Sequence, residues 1–262
     1  MHSTEKENII RLLLSGQEAN IALGLQLARS QNISIAEFKK TIEHLYTWMY
    51  KYEPDLEDSD WVIRFLLKIH TITEIKRIKV SLQEIPDCIY LCRNLQYLTL
   101  PENKISGLPA TIGCLRELRK VNLFKNQLTR LPVEIGKLTN LESLTLTLNQ
   151  LKELPAEISN LDKLQFLYLA GNQLTTLPYK IGCLVQLRVL GLKGNQLTRL
   201  PSEVGSLSEL KELTLSDNQL TQLPDEIRNL NKLQTVELRN NPIPDSEQER
   251  IKSLLPNCTI AF

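Results

Sequence analysis

Catalysis and metal binding need particular side chains at particular spacings, and this sequence offers few of them. Its three histidines, His2, His44 and His70, stand far apart, and none pairs with another at ligand spacing. Cys88-x-x-x-Cys92 has the look of half a zinc site, but no second pair follows at a useful distance. Cys114 and Cys183 fall at a recurring position that otherwise holds Lys137, Asn160, Ser206 and Asn229, so that position tolerates any chemistry and is expected to be partly exposed. The glycines at 113, 136, 182 and 205 are single apolar-Gly steps and not a phosphate-cradling loop. Acidic pairs such as Asp225-Glu226 read as solvated. We therefore expect no catalytic residue, no metal site and no cofactor.

Composition narrows the classes further. With 262 residues, of which 42% are apolar, the chain can bury a substantial core. The formal net charge is +1, and residues 1–80 carry 11 basic and 11 acidic side chains, so no segment has the basic excess of a nucleic-acid binder. No run approaches the roughly 18 apolar residues of a membrane span, and the first residues lack the pattern of a cleaved secretory leader. Five cysteines, an odd number without flanking clusters, fit a reducing compartment, so the expected location is cytoplasmic. Export by a route without a leader would leave no trace in the sequence.

What the sequence does contain is a period. Asparagine recurs at 103, 126, 149, 172, 195, 218 and 241, always 23 residues apart. Each is preceded by an apolar triplet, such as Leu95/Leu98/Leu100 or Leu141/Leu144/Leu146. Six units continue with a Leu-Pro pair, from Leu108-Pro109 to Leu223-Pro224, and then an aliphatic residue and a leucine. Alternation puts Leu98 and Leu100 on one face of a short strand and Tyr97 and Thr99 on the other. Neighbouring units then pair in a parallel sheet and share a core that none could bury alone. Each fully buried leucine contributes about 1.5–3 kcal/mol, so leucine burial dominates each unit. The asparagine amide can donate to and accept from turn backbone, which predicts a ladder of satisfied turns. The Leu-Pro step favours an extended or 3₁₀ return over an α-helix.

This pattern, L-x-x-L-x-L-x-x-N-x-L-x-x-L-P-x-x-I-x-x-L, resembles the 23-residue leucine-rich repeat of intracellular signalling scaffolds, including the Ras-signalling group, and of many bacterial proteins. The resemblance covers about residues 82–243 and implies an α/β solenoid, a horseshoe with a parallel concave sheet. Bacterial ubiquitin-ligase effectors with shorter repeats append a catalytic cysteine domain. This chain departs from them on both counts, so that activity is not carried over.

The ends differ from the middle. A degenerate unit carries Val80 at the asparagine position, Arg77 at an apolar one and Cys92 at a leucine one, with a strand expected over 73–79. Before it, Thr4-x-x-Glu7, Ser15-x-x-Glu18 and Ser34-x-x-Glu37 read as capping boxes. Ile35, Phe38, Ile42, Leu45, Met49 and Tyr52 keep helical spacing up to Pro54. Asp58-Ser59-Asp60 then opens a helix over 61–70, and Trp48 and Trp61 are expected in the core of this part. After the repeats, Ser246-x-x-Glu249 is expected to open a short helix to about Leu255, with 257–262 closing the sheet. The expected division is a helical cap over 1–72, repeats over 73–243 and a C-terminal cap over 244–262.

The repeat does not dictate the outward strand positions, so function is sought there. They carry Tyr97, Lys120, Phe124, Phe166, Tyr168 and Val189, and then a charged end with Lys193, Glu212, Glu237 and Arg239. Exposed aromatics beside polar residues suit a protein-binding surface. Lateral packing within the sheet would also select them. The reading is a module, expected to be monomeric, that binds another protein on this face, with a role in signalling as one setting. Two others stay open: an adaptor acting through its helical N-terminal part, and a delivered bacterial effector without enzymatic activity.

Overall fold

The computed structural model describes residues 12, 13, 15, 17–30, 35–50 and 61–262. Nine three-residue strands run in chain order through one parallel sheet. They are β1 (Glu74–Lys76), β2 (Tyr97–Thr99), β3 (Lys120–Asn122), β4 (Ser143–Thr145), β5 (Phe166–Tyr168), β6 (Val189–Gly191), β7 (Glu212–Thr214), β8 (Thr235–Glu237) and β9 (Thr259–Ala261). The period sets the register, so Leu144 pairs with Leu167 and Leu167 with Leu190. The middle residue of each strand points into the core, and Leu98, Leu144, Leu167, Leu190 and Leu213 are 0% exposed. This is the α/β solenoid that the repeat implies.

From β1 to β8 each chain return is a five-residue 3₁₀ turn that begins just after a proline. These prolines hold φ between −63° and −70°, an angle their ring fixes in advance. Ser159 and Arg228 hold the fourth turn position in two regular units, but where glycine stands there close stacking leaves no room for a side chain. A Cβ at Gly182 would lie 2.3 Å from the carbonyl oxygen of Glu203, and one at Gly205 equally close to that of Glu226.

The asparagine ladder forms as the pattern predicts. Asn149 accepts from the Leu128 N–H at 3.0 Å and donates to the carbonyls of Leu123 and Leu146, both at 2.9 Å. Asn126, Asn172, Asn195 and Asn218 repeat this set. Each amide thus bonds both its own turn and that of the preceding unit, which couples the units in a line. The residue before each of these asparagines takes a positive φ, including Glu102, Lys125, Leu148, Gly171, Gly194 and Asp217.

At the N-terminal side lie α1 (Glu18–Ser30), α2 (Ile35–Tyr50) and α3 (Trp61–Ile69). Ile21, Ile42, Leu45, Phe65 and Leu66 are buried between them. Tyr46 and Phe65 meet edge to face at 5.1 Å, a geometry that favours the ring quadrupoles. The expected signals at Thr4, Ser34, Pro54 and Asp58-Ser59-Asp60 lie outside the described residues, as does the Trp61 side chain. At Ser15 the hydroxyl oxygen accepts from the Gln17 N–H at 3.2 Å, just ahead of α1. Trp48 is in the core, as expected, and its indole N–H donates to the Glu84 carbonyl at 3.0 Å.

Two details at the ends depart from expectation. The strand expected over 73–79 is only Glu74–Lys76, because Lys79 and Ser81 take positive φ and Ile78 is exposed. The expected capping box at Ser246 does not form. Helix α4 (Asp245–Leu254) begins two residues earlier than that box would set, with Pro244 at the cap position, so Ser246 lies inside it. There Glu247 accepts from the Leu223 N–H and pairs with Arg250, which also contacts Asp225. The frame lengthens by one residue at this end, and Thr235 pairs with Thr259 of β9.

Candidate protein-binding face

The register turns the outward positions into rows across the sheet. Tyr97, Lys120, Ser143, Phe166, Val189 and Glu212 form one row. Thr99, Asn122, Thr145, Tyr168, Gly191, Thr214 and Glu237 form the next. The ladder continues past the strands, with Glu102 N–H on the Phe124 carbonyl and Gly171 N–H on that of Lys193. A third row therefore holds Phe124, Ala170, Lys193 and Arg239.

The aromatic residues are not all together. Phe166 and Tyr168 stack, with centroids 6.5 Å apart and planes 10° apart. Val189 stands beside Phe166 on the adjacent strand. Tyr97 lies three strands from Phe166, about 14 Å at the usual strand spacing. Phe124 is two strands from Phe166 in another row, its backbone N–H held by Asn122 Oδ1 at 3.0 Å.

Two outward positions are covered. Gly191 is buried, since the Tyr168 ring comes within 3.4 Å of where a Cβ would stand. Ser216 is 3% exposed, and its hydroxyl has no partner among the described residues.

At the charged end, which holds Glu212, Glu237 and Arg239, an ion pair joins Lys193 to Asp217 at 3.5 Å. Asp217 also accepts from Asn240 at 2.6 Å. The Asn240 amide, and Lys193 beside it, hold the Asp217 carboxyl below the usual carboxylate range. Asp217 and Leu148 were both missed from sequence. They share the turn position ahead of the asparagine, and Leu148 is the one bulky apolar residue among Lys125, Gly171, Gly194, Asp217 and Asn240. That contrast was a readable signal.

Elsewhere the chemistry is muted. Burial pushes the Cys88 thiol up to about 11 and the Cys92 thiol up to about 12, which suppresses the thiolate needed for attack or metal ligation. Cys114 and Cys183 are exposed, as their tolerant position implied. Among the described residues no group of three His, Cys, Asp or Glu side chains is placed to hold a metal. No helix among them is long and apolar enough to cross a membrane. Hollows of about 320 and 490 Å³ open at the C-terminal corner, lined by Arg228, Ser253 and Asn257 and by Glu209, Lys211 and Lys232, away from the outward rows.

Two family models match the chain: leucine rich repeat over residues 116–174 and leucine-rich repeat region over residues 179–255. With seven units in one frame and the sheet above, the chain belongs to the leucine-rich-repeat proteins. A solved leucine-rich-repeat protein of Leptospira interrogans is 29% identical over 70% of this chain and 76% of that chain, with a TM-score of 0.32. So loose a superposition carries no argument, and the fold rests on the strands and turns described above. No curated protein matches the chain. Leucine-rich-repeat domains generally mediate protein–protein interaction.

Proposed function

We propose that this protein is a non-enzymatic interaction module that holds a partner protein against the concave, outward rows of its sheet. The observation that carries the reading is the Phe166–Tyr168 stack, half-exposed on a face whose scaffold needs only the inward leucines. Paired aromatics offer large contact area at small entropic cost, which is why such residues dominate binding hot spots. Tyr97, Phe124 and Val189 extend the apolar surface. Lys120, Lys193, Glu212, Glu237 and Arg239 border it with both signs, which suits orientation more than attraction.

The helical segment is assigned a covering role at the open end of the solenoid. Support comes from Arg77 and Trp48, which bond across the junction between helices and repeats. A monomer working in a reducing compartment, with signalling as one setting, completes the reading; five free thiols accord with it.

The test is the triple variant Phe124→Ala, Phe166→Ala, Tyr168→Ala. It should lose the partner captured by the native chain in affinity purification while its Tm stays within about 3 °C, since surface changes away from special features cost little. Undiminished capture would remove the face from consideration.

A further inference from the structure

Leu148 is an outlier twice over. Its φ is +56°, a conformation in which a bulky side chain is strained. It is also 46% exposed, so burial does not offset that strain. The next two units place Gly171 and Gly194 at the same turn position, where positive φ costs nothing. Backbone strain of this kind concentrates where proteins bind.

The surroundings of Leu148 form a notch. Its N–H donates to the Ala170 carbonyl at 2.8 Å, so the small Ala170 side chain lies beside it. Tyr168 stands on the same face of that strand, two residues earlier and about 7 Å away. Any side chain at Gly171 would come within 2.6 Å of Leu148 Cδ2, so the glycine leaves room for the leucine to lie where it does. Leu148 thus lies against Gly171 and the Tyr168 ring leans toward Gly191, with the small Ala170 at the outward position between them in the chain register.

Charge decides what can occupy the notch. From Ser143 to Gly191 the outward positions carry none; the charges beside them are Lys125, paired with Glu102 at 3.1 Å, and Lys193 of the third row, paired with Asp217 at 3.5 Å. Those charges are already matched to one another. A charged group pressed against Leu148 and Tyr168 would lose hydration without gaining a counter-ion. An uncharged one would not, and its backbone could bond the half-exposed hydroxyls of Thr145 and Thr147.

We infer that the middle of this face takes an uncharged peptide segment of the partner and seats one apolar side chain in the notch between Leu148 and Tyr168. The inference rests on the concave reading above and narrows it. The probe is a displayed library of randomised twelve-residue peptides selected on the full chain, followed by titration of the synthetic consensus peptide. The expected consensus has an apolar residue at its centre and no charge beside it. Leu148→Gly should weaken that peptide at least ten-fold without lowering Tm, and Leu148→Met should retain binding. A charged consensus, no selected binder, unchanged affinity in Leu148→Gly or a Tm loss of several degrees would each overturn the inference. If Phe166→Ala with Tyr168→Ala abolishes binding and Leu148→Gly does not, the concave reading stands and only the notch fails. If neither variant matters, both fail.

Discussion

The regular units and the junction with the helices use one position of the repeat in opposite ways. In the regular units that position is Leu100, Leu123, Leu146, Leu169, Leu192 or Leu215, each 0% exposed in the common core. At the junction it is Arg77, whose guanidinium donates to the carbonyls of Trp48 and Met49 at the end of α2. The last carbonyls of a helix have no partner within it and carry partial negative charge, so a cation is favoured there. The asparagine position changes too. Val80 has no amide to offer, and Asn103 of the next unit accepts from the backbone N–H groups of both Val80 and Leu82. The middle of the solenoid is therefore held by repetition, with every unit bonded to its like. The junction is held by contacts that each occur once, the Arg77 charge directed at the end of α2 and the Trp48 indole on the Glu84 carbonyl.

The contrast can be broken from either side. The larger effect is expected in the middle. Asn149→Ala leaves the Leu128 N–H buried without its partner and takes one of two amide donors from the carbonyls of Leu123 and Leu146, which Asn126 and Asn172 still bond. At about 1–3 kcal/mol for the orphaned N–H and about 0.5–1.5 kcal/mol for each of the two further bonds lost, a loss of about 3 kcal/mol is expected. Because units couple only to neighbours, it should appear in chemical denaturation as a break spreading outward from that unit. Arg77→Leu restores the repeat consensus and should act locally. It should cost about 2 kcal/mol, the scale of hydrogen bonds to a charged donor. Hydrogen exchange should then show α2 losing protection while the strands from β3 onward keep theirs. A uniform loss across the chain would mean that the junction and the repeats are not separable.

The same contrast explains which features were legible in the sequence. The period, the inward leucines, the asparagine ladder and the proline-led returns follow from local rules applied seven times in one frame, so an error in one unit is corrected by the next. Where a feature occurs once, that correction is missing. Ser246-x-x-Glu249 matches a capping box, yet Pro244 caps α4 two residues earlier and leaves the serine inside. Arg77 could be seen to break the frame, but its target lies 28 and 29 residues back, on a helix whose position no pattern encodes. On the proposed binding face, identity and direction were readable from alternation. The burial of Gly191 and Ser216 was not, because it depends on how neighbouring side chains lean. Leu148 was overlooked because its meaning comes from a turn conformation and not from hydrophobic period.

The smallest effect sharpens the comparison by pH. His70 follows directly after α3, and its Nε2 is buried without a hydrogen-bond partner among the described residues. Burial, and then the positive charge of Arg93, lower its pKa below the ordinary value of 6.5. As pH falls through 6.5 the unfolded chain takes up a proton that the folded chain resists, so stability declines; it levels off once the folded histidine is protonated as well. Between pH 7.5 and 5.5 carboxylates remain ionised, so a decline across that window belongs to histidine. The native chain should lose Tm over this range, and protection in α3 should fall before that of the strands. His70→Gln should flatten the dependence. An equal slope in the variant would show that the junction carries no titrating group of consequence, and that its distinction from the repeats is one of packing alone.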